Sequence, residues 1–465
     1  MRFENLPREI LSLVISLLVE RGDPSLDQRD NLQFICNARL VCRLWDTLAR
    51  AYVFENVRLV YDPDGEYQSW NGMLDSEVVR RAIRHVYIRS APADDDPEGN
   101  WSTYTDCGYN GLIGAIGRIA EPDCIKALHL RFSRHCAGVE TDDPRDEVVE
   151  DIPRRQEILE SVFKAIQRRS TNTIGRRTIR SLSIENLQNA PLPELTASEL
   201  FRSVAKDIDT LHLMVAEEYD EAGPDWDTYR IERQMFEPHL HHQWLAPLSD
   251  HLVCLTLSFQ VGWGTIPGYF DGSGLHFPRL KMLNLGNFVI GHHNQLDWVF
   301  TQSSLRSFRL DRCSIVSHIT THRTNLQEWH VQTHDWHEYP LGSFGIEDPN
   351  VIYGFSGTWE AIFDNIRNSL PQLTDFCYHY DYDPGFPVRP GGLSASLTKK
   401  RYTTFDDFWH DADEQSGLLD FGDSEWGYPD KRYVNRSEET EIGDGRAWDA
   451  LLQEIRQRQQ QKAIR

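Results

Sequence analysis

The sequence lacks several features that would place it in a common functional class. No run approaches the roughly 20 apolar residues that a bilayer-spanning helix needs, so we expect no membrane partner. The eight cysteines form no C-x-x-C pair, which argues against a zinc knuckle or a redox dithiol and favours the reducing cytoplasm or nucleus. The formal net charge is −23, and this argues against nucleic acid because phosphate binding depends on Lys and Arg.

Motifs for catalysis or cofactor binding are also missing. Neither a P-loop lysine nor a G-x-S-x-G turn occurs, and the glycines of residues 108–117 do not form G-x-G-x-x-G. Histidines cluster at 239–242, 292–293 and 330–337, and the last group has a helical spacing that suits zinc ligands. Trp329 and Val331 instead fit a strand, which would scatter these histidines. We therefore expect no metal, no cofactor and no enzymatic activity, with a metal-dependent hydrolase as a remote alternative.

The first 55 residues form a pattern of their own. Acidic and basic residues balance within residues 1–60, so the acidity lies in the rest of the chain, which indicates a separate body. Residues 6–19 place apolar side chains at helical spacing, and a second helical pattern runs from Phe34 to Tyr52. The apolar surface is wider than one helix pair can cover. A segment this short is marginal as an independent core, and a wide apolar patch indicates an interface.

The residues "LPREIL" and, after a loop, "RLVCRLWDTLA" resemble the F-box, the helical motif by which substrate receptors dock onto the Skp-type adaptor of cullin-RING ubiquitin ligases. The loop around residues 24–30 is longer than is usual in that family. The alternative is a helical hairpin packed against its own C-terminal body. The resemblance implies that the following residues bind the adaptor: Leu6, Pro7, Ile10, Leu11, Ile15, Leu18, Leu40, Val41, Cys42, Trp45 and Leu48.

Beyond residue 56 a short strand pattern recurs, in which two apolar residues flank one variable residue. Successive pairs lie at intervals typical of leucine-rich repeats or longer. The ten pairs are Val57/Leu59, Val86/Ile88, Leu128/Leu130, Leu182/Ile184, Leu211/Leu213, Leu255/Leu257, Leu283/Leu285, Phe308/Leu310, Trp329/Val331 and Phe376/Tyr378.

Segments with a helical apolar face separate many of these pairs, at 111–120, 157–167 and 359–370. Strand, helix and strand in succession predict parallel strands with crossover helices. The pattern resembles the degenerate leucine-rich repeats behind the F-box of many fungal receptors, and a compact α/β domain is the alternative. We therefore predict an α/β chain with a small all-helical F-box at 1–55, a solenoid of parallel strands and helices at 56–380, and an acidic, aromatic linker with a final helix at 381–465.

The residue between the two apolar positions of each pair faces away from the core, because side chains alternate along a strand. We expect these residues, with the next outward position, to form the surface that binds a protein target. The candidates are Tyr87, His129, His212, Asn284, Arg309, His330 and His379.

Together these features predict a noncatalytic substrate-recognition subunit of a Skp–cullin ubiquitin ligase. Its expected partners are the Skp-type adaptor, through it a cullin, and a protein substrate that the sequence does not identify. An F-box scaffold without a role in ubiquitination is the alternative.

Overall fold

The computed structural model describes residues 7–17, 29–92, 105–136, 150–171, 178–217, 230–346, 348–379, 397, 399–406, 410–411 and 436–464. The chain is a mixed α/β protein whose strands pair mostly in parallel. It divides into two compact units, one within Met1–Arg134, Glu147–Glu185 and Ser198–Ile208, the other within His135–Asp146, Asn186–Ala197 and Asp209–Arg465. Within the described ranges, no helix combines the length and hydropathy needed to cross a bilayer.

The first unit begins with three helices and continues as alternating strands and helices. The predicted boundary at residue 55 therefore falls inside this unit. Its elements are α1 (Arg8–Leu17), α2 (Arg29–Arg39), α3 (Arg43–Val53), β1 (Asn56–Val60), α4 (Gln68–Asp75), α5 (Glu77–Ala82), β2 (His85–Arg89), α6 (Asp106–Gly117), β3 (Ala127–Arg131), α7 (Ile152–Thr171), β4 (Ser181–Gln188) and, later in the chain, α9 (Glu199–Ala205).

Strands β1 to β4 pair in parallel and in register, so the predicted apolar pairs stack across the sheet. Val57 lies beside Val86, which lies beside Leu128 and then Leu182. These side chains are buried, whereas the residues between them are half-buried or exposed. The apolar side chains of the predicted helical segments in α6 and α7 are also mostly buried. In α7 the fully enclosed ones are Ile158, Leu159, Val162, Phe163 and Ile166.

The second unit contains the remaining elements. They are α8 (Pro193–Thr196), β5 (Thr210–Ala216), α10 (Ile231–His239), β6 (Cys254–Trp263), β7 (Met282–Ile290), α11 (Asp297–Phe300), β8 (Ser307–Asp311), β9 (Ser314–His322), α12 (Arg323–Glu328), β10 (Trp336–Glu338), β11 (Asn350–Phe355), α13 (Trp359–Ser369), β12 (Asp375–His379), β13 (Tyr402–Phe405), β14 (His410–Asp411) and α14 (Glu441–Ile464).

Parallel pairing continues through β5, β6, β7, β8 and β12, and Leu211, Leu255, Leu283, Phe308 and Phe376 stack in register. Beside them, β9 pairs in parallel with the end of β7 and with β13, and antiparallel with β11. β11 also pairs antiparallel with β10. The antiparallel strands were not predicted, because strands that alternate with helices along the sequence indicate parallel pairing.

Nine of the ten predicted apolar pairs lie in strands, and the tenth prediction is wrong. Trp329 and Val331 follow α12 in a turn, where His330 has a positive φ of 52°. Trp329 is buried there. An apolar residue occurs at this position because the turn packs against the core, and not because the segment is a strand.

The C-terminal region contains more core than the predicted linker suggests. Residues 381–396 and 412–435 of that prediction lie outside the described residues, but β13 is fully buried. The predicted apolar face of the final helix, which includes Trp448 and Leu451, is buried as expected. Helix α14 continues through its polar C-terminal segment to Ile464. Arg458 holds this end by donating to the carbonyls of Leu370 at 2.7 Å and Arg367 at 2.8 Å.

A buried polar cluster connects α14 to the segments around Glu360 and Arg401 in the same unit. The carboxylate of Asp444 accepts hydrogen bonds from Arg401 Nε at 2.9 Å, from the Tyr402 hydroxyl at 3.1 Å and from the Glu360 backbone N–H at 2.9 Å. Both Arg401 and Asp444 are almost completely enclosed. Such a pair is stable only when its remaining polar atoms are also satisfied, as they are for this carboxylate.

A second buried carboxyl lies at the end of α10. Glu237 Oε1 accepts from the Gly264 backbone N–H at 3.2 Å. Burial raises the pKa of Glu237 to about 8, against the opposing effects of that N–H and of Arg233. Because Arg233 is paired with Glu217 at 3.2 Å, it offsets only part of the cost of burying a negative charge on Glu237.

Candidate functional site

Helix α1 has a wide apolar surface, of which only one part packs against other described residues. Leu11 and Ile15 are fully buried. Ile10, Leu13, Val14 and Leu17 are exposed and lie at i, i+3, i+4 and i+7, which places them along one side of the helix. We call these four residues the apolar stripe. The apolar part of this helix is wider than the part that packs within the described residues, so the stripe has the properties of a binding surface.

The interior of the three-helix segment is small. Ile15, Ile35 and Ala49 form its centre, and Trp45, Leu48, Tyr52 and Val53 pack around them partly buried. The hydroxyls of Ser12 and Tyr52 lie 3.3 Å apart and connect α1 to α3. This core fixes the orientation of α1 and therefore presents the apolar stripe outward.

The helical conformation is interrupted between α2 and α3, where a single helical pattern was predicted. Cys42 is extended, with φ −165° and ψ 171°, so Leu40, Val41 and Cys42 project as an exposed turn. Arg39 Nε contacts Asp46 Oδ1 at 2.9 Å across the break, and Arg50 also pairs with Asp46. Hydrogen bonds from Arg50 and Arg39 hold the pKa of the Asp46 carboxyl below its usual value. This polar group fixes the angle between the two helices.

The predicted adaptor-binding residues thus separate into two groups. Ile10, Leu40, Val41, Cys42 and the residue preceding α1, Pro7, are exposed. Leu6 and Leu18 lie outside the described residues.

The other predicted residues belong to the interior. Leu11 and Ile15 are fully buried, and Trp45 and Leu48 pack partly buried around the same centre. For Leu11 and Ile15 the prediction of direct adaptor contact is corrected, because a side chain with no exposed surface supports the segment and cannot touch a partner.

Five exposed apolar residues were missed as contacts: Leu13, Val14, Leu17, Phe34 and Leu44. Leu13 and Leu17 lie on the same side of α1 as the predicted residue Ile10. The sequence contains a pattern that indicates this, since six of the eight residues in "LSLVISLL" are apolar and only Ser12 and Ser16 are polar.

In the first unit, the predicted target surface is a row of half-buried side chains on β2 and β3. Tyr87 and His129 are neighbours in register, and their rings lie 5.5 Å apart. His129 Nε2 lies 3.0 Å from Glu185 Oε2, and Arg131 Nε lies 3.5 Å from Glu185 Oε1. These contacts hold an aromatic, cationic and anionic group on one face of the sheet.

In the second unit the equivalent row follows β5, β6, β7 and β8. His212 Nδ1 lies 2.8 Å from the Thr256 hydroxyl, which also accepts from Asn284 Nδ2 at 3.0 Å. Arg309 reaches Asp375 at 3.4 Å. This row is therefore ordered by hydrogen bonds between adjacent strands.

His379 and His330 complete the predicted set. His379 ends β12, with its Nδ1 3.7 Å from Asp311 Oδ1, so it remains on the predicted surface. His330 does not belong to it, since the turn after α12 removes it from the sheet.

The strand that was predicted to scatter the 330–337 histidines does not form. His330 is in a turn, His334 precedes β10 and His337 lies within β10. His334 lies next to His292, which belongs to another of the predicted clusters. One carboxylate oxygen of Asp335 lies 2.6 Å from His292 Nδ1 and 4.0 Å from His334 Nε2. These three are the residues in the described ranges whose side chains are grouped closely enough to hold a metal ion.

No protein-family model matches the chain, and a search of curated proteins found no match.

Proposed function

We propose that this chain is the target-recognition subunit of a cullin-RING ubiquitin ligase and that it binds a Skp-type adaptor through the three-helix segment. The exposed apolar stripe on α1 is the observation that carries the proposal. It occurs in a segment that also has the Leu-Pro start and the Val-Cys-Arg-x-Trp run of an F-box.

The geometry supports a division of labour within this segment. Leu11, Ile15 and Ala49 hold the helices together, while the stripe and the Leu40–Val41 turn remain available to a partner. Fully burying one Leu, Ile or Val contributes roughly 1.5 to 3 kcal/mol. Several such side chains suffice for tight binding after the costs of association are subtracted.

The rows of polar side chains on the strands are proposed to bind the target protein. Tyr87 and His129 in one unit, and His212, Asn284 and Arg309 in the other, offer hydrogen bonds and an aromatic surface. The chain would act by holding a target near the ubiquitin-charged enzyme, which raises the effective concentration without chemistry of its own. This role places the chain in the cytoplasm or nucleus.

Adaptor binding is tested with the full-length chain carrying Leu13→Asp and Leu17→Asp. We expect the variant to lose co-purification of the adaptor and of the cullin while keeping its thermal unfolding midpoint, because both side chains are exposed. Val78→Asp is the matched control, since Val78 is an exposed aliphatic residue on α5 outside the three helices. Undiminished adaptor binding by the double variant would show that the proposed surface is wrong.

A second measurement separates a receptor from a scaffold. Affinity purification followed by mass spectrometry is run with and without proteasome inhibition. We expect adaptor and cullin in both samples and additional proteins that accumulate only with the inhibitor. Recovery of the adaptor with no inhibitor-dependent protein would favour a scaffold without a role in ubiquitination.

A further inference from the structure

Two histidines and an aspartate from distant parts of the second unit converge near its surface. His292 follows β7, whereas His334 and Asp335 immediately precede β10. His292 Nδ1 lies 2.6 Å from Asp335 Oδ1, and His334 Nε2 lies 4.0 Å from the same oxygen. One potential ligand atom from each of the three residues lies within 4.8 Å of the other two.

The surrounding contacts hold His292 and Asp335 in position. The second carboxylate oxygen of Asp335 accepts from the His293 backbone N–H at 3.0 Å. The ring of His292 stacks on His334 at a centroid distance of 5.3 Å and on Trp336 at 4.9 Å. Trp336 Nε1 in turn donates to the Gly291 carbonyl at 2.6 Å. The two loops are therefore connected by several contacts before any ligand binds.

His334 differs from the other two, because its side chain is 60 % exposed whereas that of His292 is fully enclosed. It can rotate at little cost. Zinc lies about 2.0 to 2.2 Å from nitrogen and oxygen ligands, so its ligand atoms lie roughly 3 to 4 Å from one another. A small rotation of His334 and a slight opening of the His292–Asp335 contact bring all three atoms into this range.

We propose that His292, His334 and Asp335 form a binding site for a divalent transition-metal ion of the Zn²⁺ class. Two imidazoles and one carboxylate suit Zn²⁺ and its neighbours better than Ca²⁺ or Mg²⁺, which prefer oxygen ligands. Metal binding through His292 Nδ1 requires the neutral tautomer that carries its proton on Nε2, so the ion takes the place of the hydrogen bond between Nδ1 and Asp335. A zinc ion held by three protein ligands takes water in its fourth position.

Bound metal would join the loop after β7 to the segment before β10. The ion therefore stabilises the folded second unit, because the unfolded chain does not hold the three ligands together. This inference stands apart from adaptor binding, since the three residues belong to the second unit and the apolar stripe to the first.

The test uses the reduced full-length chain with Zn²⁺ and, for its visible absorption, Co²⁺. Equilibrium dialysis gives the number of bound ions, and the Co²⁺ spectrum reports their coordination. His334→Ala removes an exposed ligand without disturbing the core. Asp335→Asn keeps the shape of the aspartate ligand but removes its negative charge. His276→Ala is the control, because His276 is an exposed histidine in the loop between β6 and β7.

We expect the wild type and His276→Ala to bind one more ion than His334→Ala, and Asp335→Asn to bind it at least about tenfold more weakly. Zn²⁺ should raise the thermal unfolding midpoint of the wild type and of His276→Ala, and raise that of His334→Ala less. Equal stoichiometry and affinity in the wild type and His334→Ala would overturn the proposal. So would the absence of binding by the wild type.

Discussion

Replacing neighbouring leucines of α1 should separate binding from stability. Leu13 is 57 % exposed and Leu17 is 75 % exposed, whereas Leu11 is fully buried. Leu→Ala removes the equivalent of three CH₂ groups, or about 2.4 kcal/mol at about 0.8 kcal/mol each when the side chain is fully buried. If the adaptor covers the surface that is now exposed, Leu13→Ala loses about 1.4 and Leu17→Ala about 1.8 kcal/mol of binding free energy.

Together the two changes should weaken adaptor binding by about 3.2 kcal/mol, or roughly 200-fold, since 1.4 kcal/mol is a factor of ten. Isothermal titration calorimetry with purified adaptor measures this difference. The free energy of unfolding of the full-length chain should change by less than about 0.5 kcal/mol for each change, as expected for exposed positions.

Leu11→Ala should have the opposite profile. A buried leucine replaced by alanine costs about 2 to 5 kcal/mol of stability. We expect the three-helix segment to unfold more easily and adaptor binding to weaken only because less of the segment is folded. Val78→Ala, at a 56 % exposed position on α5, should affect neither quantity.

Two outcomes would refute this reasoning. Wild-type affinity in the Leu13→Ala/Leu17→Ala variant would show that the partner does not cover the stripe. Destabilisation of that variant by as much as Leu11→Ala would show that the stripe packs inside the protein.

The buried carboxyls and the end of α14 give three further predictions. Asp444→Ala removes the carboxylate that faces the buried Arg401 guanidinium and should cost about 3 to 5 kcal/mol of unfolding free energy in urea denaturation. Because burial raises the pKa of Glu237 to about 8, the folded state binds more protons than the unfolded state between about pH 4.5 and 8. The free energy of unfolding should therefore fall as the pH rises through that window, by up to about 1.4 kcal/mol per pH unit. Glu237→Gln should reduce this dependence on pH. An unchanged dependence would exclude the Glu237 carboxyl as its source. Arg458→Ala should speed amide hydrogen exchange in the last turns of α14, and protection equal to wild type would show that its bond to Leu370 does not hold the helix end.

Local periodicity explains why much of the fold was predictable. An apolar pair with one residue between them fits a strand with one buried face, and nine of the ten pairs lie in strands. The parallel pairing also followed, since helices occupy the intervals between many of the pairs. The Trp329/Val331 pair fails for the same reason, because two apolar residues cannot distinguish a strand from a packed turn.

The candidate site was predictable only in part. The apolar residues of α1 were recognised as an unusually wide surface, but the sequence could not show which of them face the interior. Leu11 and Ile15 became core because α3 packs on that side, placing Tyr52 against Ser12. Leu13 and Leu17 became surface because no described element packs on the other side.

The sequence by itself determined the alternation of strands and helices, the acidic character of the body and the apolar excess of the first helices, because each is a property of neighbouring residues. Only the tertiary structure decided which polar groups meet. His292 and Asp335 are separated by 43 residues, as are Arg401 and Asp444, and neither pair has a spacing that local structure can detect. Chain folding brings each pair within hydrogen-bond distance. The pairing of β7, β9, β11 and β10 brings His292 close to Asp335, and the packing of α13 on α14 occurs beside the contact between Arg401 and Asp444.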